Sequence, residues 1–120
     1  MSSVSLGKLG ENIALKHLKK KGYRFVDRNF RSKFGEIDLI LRDKKTLVFV
    51  EVKTRRGLKY GPPLDSIQPY KIRHIIKTVQ YFLLKNPRLN CSYRLDAVGI
   101  LLDHNDNVLH IRHVNNLTID

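Results

Sequence analysis

Charged side chains interrupt the most apolar stretch of the chain, GEIDLILRDKKTLVFVEVKTRR at residues 35–56. Asp38 and Glu51 each stand between two aliphatic residues, and Lys53 follows Glu51 by two positions. Two carboxylates beside an amine are groups that can hold a divalent cation and act on a phosphodiester. Whether they do so depends on how the fold positions them.

The spacing of these residues predicts a β-hairpin, with strands over residues 35–43 and 46–54. Alternation along a strand places Glu51 and Lys53 on one face. A loop of two or four residues gives the same register, in which Asp38 lies opposite Glu51 and Glu36 lies opposite Lys53. A three-residue loop would break this register. Lys-Lys fits a tight turn poorly, which favours the four-residue loop.

Two directly opposed carboxylates repel each other unless a cation lies between them. Mg²⁺ (or Mn²⁺) could bind Asp38, Glu51 and the backbone carbonyl of Val52, and water or phosphate could complete its octahedral shell. Lys53 could then orient or deprotonate an attacking water, or stabilise charge on the phosphate. The alternative is a solvated Glu–Lys ion pair, with Asp38 protecting an edge strand from aggregation. Spacing alone leaves both interpretations open.

The remaining elements must position this hairpin. Apolar spacing, glycine and proline signals predict two helices and three further strands around a loop at residues 55–69. The helices are expected at residues 4–21 and from Pro69 to about Asn86, and the strands at residues 23–30, 92–103 and 108–116. The order α-β-β-β-α-β-β predicts an α/β fold, with a central mixed β-sheet of about five strands flanked by helices. The length is typical of one domain, residues 1–120.

The composition indicates the class of partner. Lys and Arg number 23 against 11 Asp and Glu, a formal net charge of +12, which attracts polyanions. Nucleic acid is therefore the expected partner. No membrane association is expected, because the basic residues are dispersed and no apolar run reaches the length of a membrane span, about 20 residues. The single cysteine, Cys91, excludes an internal disulfide, and the N-terminal segment lacks a signal-peptide core, so a cytoplasmic location is expected.

Four segments of the chain resemble the YraN-like family of small, mostly uncharacterised bacterial proteins. They are LGKLGENIALKHLKKKGY, GEIDLILRDKKTLVFVEVKTR, GPPLDSI and YRLDAVGI, which together span nearly the whole chain. That family is related to the PD-(D/E)xK nuclease superfamily. The resemblance implies a restriction-endonuclease-like core and one nuclease-like domain.

The resemblance also implies roles for individual residues. Asp38 takes the place of the first metal-binding acid, and Glu51 and Lys53 take the places of the acid and lysine of the (D/E)xK element. Glu11, in GENIA of the first helix, corresponds to an extra acid near the metal, with an exposed surface acid as the alternative. Asp96, in YRLDAVGI, is expected either to support the site or to make structural hydrogen bonds.

Five further residues are candidates for contact with phosphate. Arg55, Arg56 and Lys59 follow Lys53 in a loop that contains glycine and proline, a suitable place for gripping a nucleic-acid backbone. Gln68 and Lys71 stand at the start of the long helix and are expected to face the same cleft. For each of them a solvated position is the alternative.

The function expected from these features is a Mg-dependent endonuclease that hydrolyses the phosphodiester bonds of DNA. One alternative is a nucleic-acid-binding protein that has the nuclease-like fold and does not cut. Another is an adaptor that docks on nucleic-acid machinery through its basic surface. A homodimer and a larger DNA-processing assembly are both compatible with the sequence.

Overall fold

The structure, a computed structural model, describes residues 4–89 and 92–117. Within this part of the chain the predicted element order, α-β-β-β-α-β-β, is confirmed. The elements are α1 (Leu6–Lys20), β1 (Arg24–Ser32), β2 (Gly35–Asp43), β3 (Thr46–Arg56), α2 (Pro69–Lys85), β4 (Ser92–Leu102) and β5 (Val108–Val114). A short 3-10 helix, Pro63–Ser66, lies within the predicted loop. Cys91 lies outside the described residues.

The strands form one mixed sheet in the order β1-β2-β3-β4-β5. Neighbouring strands are antiparallel except β3 and β4, which are parallel along their whole length from Thr46↔Ser92 to Arg56↔Leu102. Parallel neighbours require a crossover connection, which α2 provides here. The predicted fold class, α/β with a mixed sheet of about five strands, is therefore confirmed, and β3 lies at its centre.

The first turns of both helices follow from the sequence. The hydroxyl of Ser5 accepts a hydrogen bond from the Lys8 N–H at 3.2 Å and so caps the first turn of α1. Pro69 occupies the first turn of α2, where its missing N–H costs no helical hydrogen bond. Among the described residues, no helix combines the length and the apolarity needed to cross a bilayer.

The two helices cover opposite faces of the sheet. Val48 and Val50 of β3 pack in the apolar cluster beneath α1, whereas Leu47 and Phe49 pack in the cluster beneath α2. Because side chains alternate along a strand, the residues that follow Phe49 at intervals of two also face α2. Those residues include Glu51.

The alternation breaks in β2 at Asp38. Leu39 and Leu41 pack beneath α1, as alternation predicts, but Ile37 packs in the cluster beneath α2. Strict alternation predicts that Ile37 shares a face with Leu39 and Leu41, and the structure shows that this prediction is wrong. In the neighbouring strand β1, Asn29 has a φ of 53°, so the backbone is irregular there too. Both strands are therefore irregular at this level of the sheet.

The β2–β3 turn contains two residues, Lys44 and Lys45, and the expected four-residue loop is wrong. Asp43 pairs with Thr46, and Lys44 adopts a φ of 55°, the left-handed conformation that a tight hairpin turn demands. The register is the predicted one, since both loop lengths give the same pairing. The stability of the flanking strands outweighs the unfavourable φ of one exposed lysine.

Candidate active site

The candidate site lies where the β2–β3 ladder ends. The last pair of residues in this ladder is Leu39↔Val50. Its register, continued by one residue, sets Asp38 against Glu51. Beyond it, the Asp38 carboxylate replaces backbone pairing, because its Oδ2 accepts a hydrogen bond from the Val52 N–H at 2.7 Å. The strands separate at this point, and the Asp38 side chain fills the gap next to Glu51.

Glu51 is a buried carboxylate between two ammonium groups. Only 4% of the residue is exposed. Its Oε1 lies 3.0 Å from Nζ of Lys71, on α2, and 3.5 Å from Nζ of Lys53, on the same face of β3. The predicted proximity of Glu51 and Lys53 is therefore observed. The contact between Glu51 and Lys71 shows that α2 closes over this face of the sheet.

The environment of Asp38 favours its protonated form. Burial, then the charge of Glu51, raise the pKa of Asp38 to about 7, with smaller contributions from Glu11 and Glu36. The hydrogen bond from Val52 opposes this change but does not outweigh it. Burial first, and the nearby carboxylate of Glu51 second, therefore disfavour the ionised form of Asp38.

The two lysines differ in their preference for a proton. Burial and the neighbouring ammonium of Lys71 lower the pKa of Lys53, and the attraction of Glu51 offsets this only in part. Burial also acts to lower the pKa of Lys71, but its hydrogen bonds with Lys53 and Glu51 outweigh burial and raise the pKa. Of the pair, Lys53 gives up its proton more readily.

Glu11 reaches the edge of this site through a polar bridge that the sequence did not reveal. The Nδ2 of Asn29 lies 3.0 Å from a carboxylate oxygen of Glu11 and 3.0 Å from one of Glu36. Nη2 of Arg28 lies 3.3 Å from the same oxygen of Glu11. An asparagine inside an alternating strand is unusual and often marks an irregular backbone, so Asn29 was the signal available.

The donor set fits a hard divalent cation such as Mg²⁺. Asp38 and Glu51 offer carboxylate oxygens, and one or two carboxylates are what Mg²⁺ commonly takes from a protein. The N–H and C=O of a strand residue point to the same side, so the carbonyl of Val52 is expected on the β2 side of β3, the side on which its N–H meets Asp38. Within residues 4–89 and 92–117, no three His, Cys, Asp or Glu side chains converge as a ready-made metal cluster. The fit is to a cation that completes its shell with water or phosphate.

The five predicted phosphate contacts do not all meet at this site. Lys71 joins Glu51, and Gln68 precedes it as the exposed N-cap residue of α2. Nη1 of Arg55 donates to the neighbouring carbonyl of Thr54 at 3.2 Å. Lys59 is exposed, with its ammonium 5.5 Å from the ring centroid of Tyr60. The fifth residue, the exposed Arg56, forms a two-pronged ion pair with Asp106 beyond β4, so its charge is already engaged.

Asp96 lies on the opposite side of the sheet from Glu51. It is fully buried and accepts hydrogen bonds from Nε of Arg94 at 3.1 Å and the N–H of Asn116 at 2.9 Å. Nε2 of His113 lies 2.8 Å from its other oxygen. Its alternates along β4, Val98 and Ile100, pack beneath α1. Of the two interpretations of Asp96, the structure supports the structural one.

Comparison with solved structures includes a weak likeness to SfsA. The structure of Pyrococcus furiosus SfsA in complex with Ca²⁺ superposes with a TM-score of 0.40 at 17% sequence identity. The match covers 94% of this chain and 62% of that one.

Comparison with protein sequences gives much stronger matches. A UPF0102 protein from Caldicellulosiruptor saccharolyticus is 43% identical over 97% of this chain and 98% of its own length. Its counterpart from Persephonella marina is 44% identical over 94% and 95%. Another, from Geotalea uraniireducens, is 52% identical over 81% and 76%. The model of the uncharacterised protein family UPF0102 matches residues 10–100. The resemblance to the YraN-like family is thereby confirmed, and the chain belongs to the uncharacterised protein family UPF0102.

Proposed function

We propose that the chain is a divalent-metal-dependent nuclease that hydrolyses the phosphodiester bonds of DNA. One observation carries this proposal, the buried carboxylate of Glu51 with Lys71 and Lys53 at 3.0 and 3.5 Å and Asp38 alongside. Buried acids are normally avoided or fully neutralised, and a cluster of perturbed titratable groups is typical of catalytic sites.

Asp38 and Glu51 are the residues that would hold Mg²⁺ or Mn²⁺, with the carbonyl of Val52 as a further oxygen ligand. A bound divalent cation supplies Lewis-acid polarisation of the phosphate and neutralises its charge. The raised pKa of Asp38 is compatible with this assignment, because a bound cation would offset the burial and the repulsion from Glu51 that disfavour the ionised carboxylate. The site differs from a metal site whose ligands are unpaired, because Glu51 already forms ion pairs with Lys53 and Lys71.

Lys53 and Lys71 are suited to two different roles in the reaction. Lys53, whose pKa is lowered, is suited to accept a proton at Nζ from the attacking water. Lys71, whose pKa is raised, keeps its charge and can pair with a non-bridging phosphate oxygen. Glu51 orients both ammonium groups, and Glu11 adds negative charge near Asp38 from the α1 side.

Three polar or basic residues that follow Lys53 along the chain can bind the nucleic-acid backbone. Arg55 lies at the end of β3 and not in the predicted loop, because the strand continues to Arg56, whereas Lys59 lies in the segment that follows and Gln68 at the start of α2. They suit contacts with phosphates on either side of the bond that is cut, since such contacts position a strand without reading its sequence. Arg56 is the weaker candidate because Asp106 already binds it.

A second candidate function is nucleic-acid binding without cleavage. It is favoured by the ion pairs of Glu51 with Lys53 and Lys71, which neutralise this carboxylate without a metal. Among the described residues no cluster of three metal-binding side chains is pre-arranged. In this case the acids and lysines would serve the stability of the cleft, and the net charge of +12 would provide the affinity.

Cleavage assays separate the two candidates. The purified chain is incubated with plasmid, single-stranded and branched DNA in Mg²⁺, in Mn²⁺ and in EDTA, beside Asp38→Asn and Lys53→Met. Lys45→Met serves as the matched control, because it removes an exposed lysine at the distant β2–β3 turn. We expect cleavage only with metal, a loss of about 100-fold or more in both site variants, and no change in the control.

Two outcomes would contradict the proposal. Metal-dependent cleavage that persists in both Asp38→Asn and Lys53→Met would show that the reaction takes place elsewhere. Absence of cleavage on every substrate, together with tight and salt-sensitive binding, would establish the non-cutting alternative.

A further inference from the structure

A groove with aromatic walls runs along the exposed side of α2. The α2 residues that form it recur at intervals of four, three, four and three, which places them in one stripe on the helix surface. They are Tyr70, His74, Lys77, Tyr81 and Leu84, and Phe34 of the β1–β2 turn faces them. We call these six residues the aromatic groove. It consists of two recesses of about 430 and 550 Å³, both lined by Phe34.

The aromatic groove begins at the candidate active site. The smaller recess is also lined by Glu36 and Lys71, and Nζ of Lys71 lies 3.0 Å from the Glu51 carboxylate. The larger recess continues along α2 to Leu84. A chain that occupied the groove would therefore enter or leave the site beside Lys71.

Phe34 is held in place over α2 by hydrogen bonds. The hydroxyls of Ser32 and Thr78 share a hydrogen bond of 3.0 Å, which fixes the β1–β2 turn to the helix. The N–H of Phe34 donates to the hydroxyl of Ser32, also at 3.0 Å. An aromatic ring at the tip of a turn would ordinarily be mobile. Here the hydrogen bonds hold the backbone that carries the ring against α2.

Lysines accompany the aromatic rings of the groove. Nζ of Lys33 and Nζ of Lys77 lie 5.2 and 5.6 Å from the ring centroid of Phe34. Nζ of Lys85 lies 5.1 Å from the ring centroid of Tyr81. The arrangement thus offers ammonium groups for phosphates and, beside them, flat rings for a second kind of partner. The acid that lines the groove, Glu36, is already engaged by Asn29 and Arg31.

We propose that the aromatic groove binds single-stranded DNA, with unpaired bases stacked on Phe34, Tyr70 and Tyr81 and with phosphates paired to the adjoining lysines. Rings interleaved with cations are how proteins hold a single strand, because every unpaired base offers a flat face and each nucleotide a negative charge. A duplex hides its base faces within the stack and can use only the cations. Tyr70 is 60% exposed and is thus free to stack.

This inference rests on the proposed function, since it names the form of DNA that the same site would act on. Tyr81 has a structural contact as well, because its ring lies 6.0 Å from that of Phe30. Phe34 and Tyr70 therefore carry the test.

The test is DNA binding in EDTA, measured by fluorescence anisotropy, which requires no cleavage. The probes are a short oligothymidylate, an abasic strand of the same length and a duplex. The variants are Phe34→Leu, which removes the flat ring and keeps an apolar side chain, and Phe34→Tyr, which keeps the ring. Phe25→Leu is the matched control, since Phe25 is 42% exposed and has Nζ of Lys19 at 5.9 Å from its ring centroid, beside α1 and away from the groove.

We expect Phe34→Leu to weaken binding of the oligothymidylate by about 5-fold or more, the effect of losing one stacked base. Phe34→Tyr and Phe25→Leu should retain wild-type binding, and the abasic strand should bind wild type and Phe34→Leu equally. Tyr70→Leu should act in the same direction as Phe34→Leu. Thermal unfolding of each variant shows whether a loss of binding follows from a loss of fold.

Three results would overturn the inference. They are an equal effect of Phe34→Leu and Phe25→Leu, an equal loss for single strand and duplex, and an abasic strand that still distinguishes wild type from Phe34→Leu.

The outcome of this binding test can be distinguished from that of the nuclease proposal. Binding through the groove without cleavage would leave the inference standing and remove the nuclease. Cleavage of single strands unchanged by Phe34→Leu and Tyr70→Leu, with binding also unchanged, would do the reverse.

Discussion

At the scale of single residues, Asp38 connects the chemistry of the site to the stability of the fold. Its pKa is raised to about 7 in the folded chain, from an ordinary value near 4. The folded state therefore binds a proton more tightly than the unfolded state between these two values. The stability that this group contributes is fully present below about pH 4 and is lost as the pH rises through about 7.

Asp38→Asn should stabilise the metal-free protein in alkaline solution. An amide cannot ionise, and its oxygen can still accept the hydrogen bond from Val52. We expect the free energy of unfolding at about pH 8 to rise by on the order of 3 kcal/mol, with the gain shrinking towards pH 4. Urea denaturation across this pH range measures it. The exposed Asp65→Asn is the control and should change by less than about 0.5 kcal/mol.

The same pair of proteins tests the metal assignment. Mg²⁺ should raise the melting temperature of the wild type and have little effect on Asp38→Asn, because a ligand stabilises only the state that binds it. A variant that is destabilised at alkaline pH, or stabilised equally well by Mg²⁺, would contradict the role given to Asp38.

Asp96 should show the opposite pH dependence. Burial acts to raise its pKa, but hydrogen bonds from His113, Asn116 and Arg94 outweigh burial and lower it. The stability that it contributes is therefore present above about pH 4 and is lost as the pH falls through the lowered pKa. Asp96→Asn should cost about 3 kcal/mol at neutral pH, because it removes the buried carboxylate that the partly buried guanidinium of Arg94 binds. A loss of stability that is the same at neutral pH and at about pH 3 would argue against this electrostatic role.

At the scale of elements, α1 approaches β3 closely at one point. Gly10 of α1 is buried against Thr54, whose hydroxyl has no hydrogen-bond partner among the described residues. A Cβ at position 10 would overlap Oγ1 of Thr54 and lie 2.8 Å from its Cβ. This contact fixes the height of α1 above the strand that carries Glu51 and Lys53.

Gly10→Ala should destabilise the protein by about 1–3 kcal/mol, because overpacking outweighs the better helix propensity of alanine. Gly7→Ala, on the same helix, is the matched control. A Cβ at position 7 meets nothing within 4 Å, so this change should stabilise by about 0.5–1 kcal/mol. Thr54→Ala should restore part of the loss when combined with Gly10→Ala. Chemical denaturation of the four variants measures these effects, and no rescue in the double variant would place the strain elsewhere.

The elements and the hairpin register could be predicted from the sequence because both depend on local periodicity. The register that sets Asp38 against Glu51 follows from the alternation of side chains and from an even number of loop residues. Both can be read from residues that are close in sequence. The contact of Lys71 with Glu51 depends on how α2 crosses the sheet, and no local pattern encodes a crossing angle. The break of alternation at Asp38 coincides with the left-handed conformation of Asn29 in the neighbouring strand, and no local pattern encodes that combination. The role of Asp96 cannot be predicted from the sequence for a similar reason. Its place in β4 is clear, but two of its hydrogen-bond partners, His113 and Asn116, come from a segment distant in sequence.

At the scale of the whole molecule, the formal net charge of +12 makes any DNA binding dependent on salt. Each phosphate contact with a duplex contributes a slope of about −0.9 in a plot of log affinity against log salt. The location of the charge therefore matters as much as its amount.

Two double variants that remove the same charge test this location. Arg55→Ala/Lys59→Ala should reduce the magnitude of the slope for duplex DNA by about 2, because two phosphate contacts are lost. Lys44→Ala/Lys45→Ala, at the far end of β3, should leave the slope near its wild-type value. Titrations between about 50 and 200 mM salt measure it. Equal changes in the two variants would show that binding is spread over the surface.

The hydrogen bond from Val52 to Asp38 has a consequence for spectroscopy. An amide proton held by a carboxylate senses the charge of that carboxylate, so the resonance of the Val52 amide reports the ionisation of Asp38 directly. Its chemical shift should follow a titration curve with a midpoint near 7. Cations that bind the carboxylates should move this midpoint to lower pH. One backbone resonance can therefore record the electrostatic state of the site in a protein that has no bound substrate.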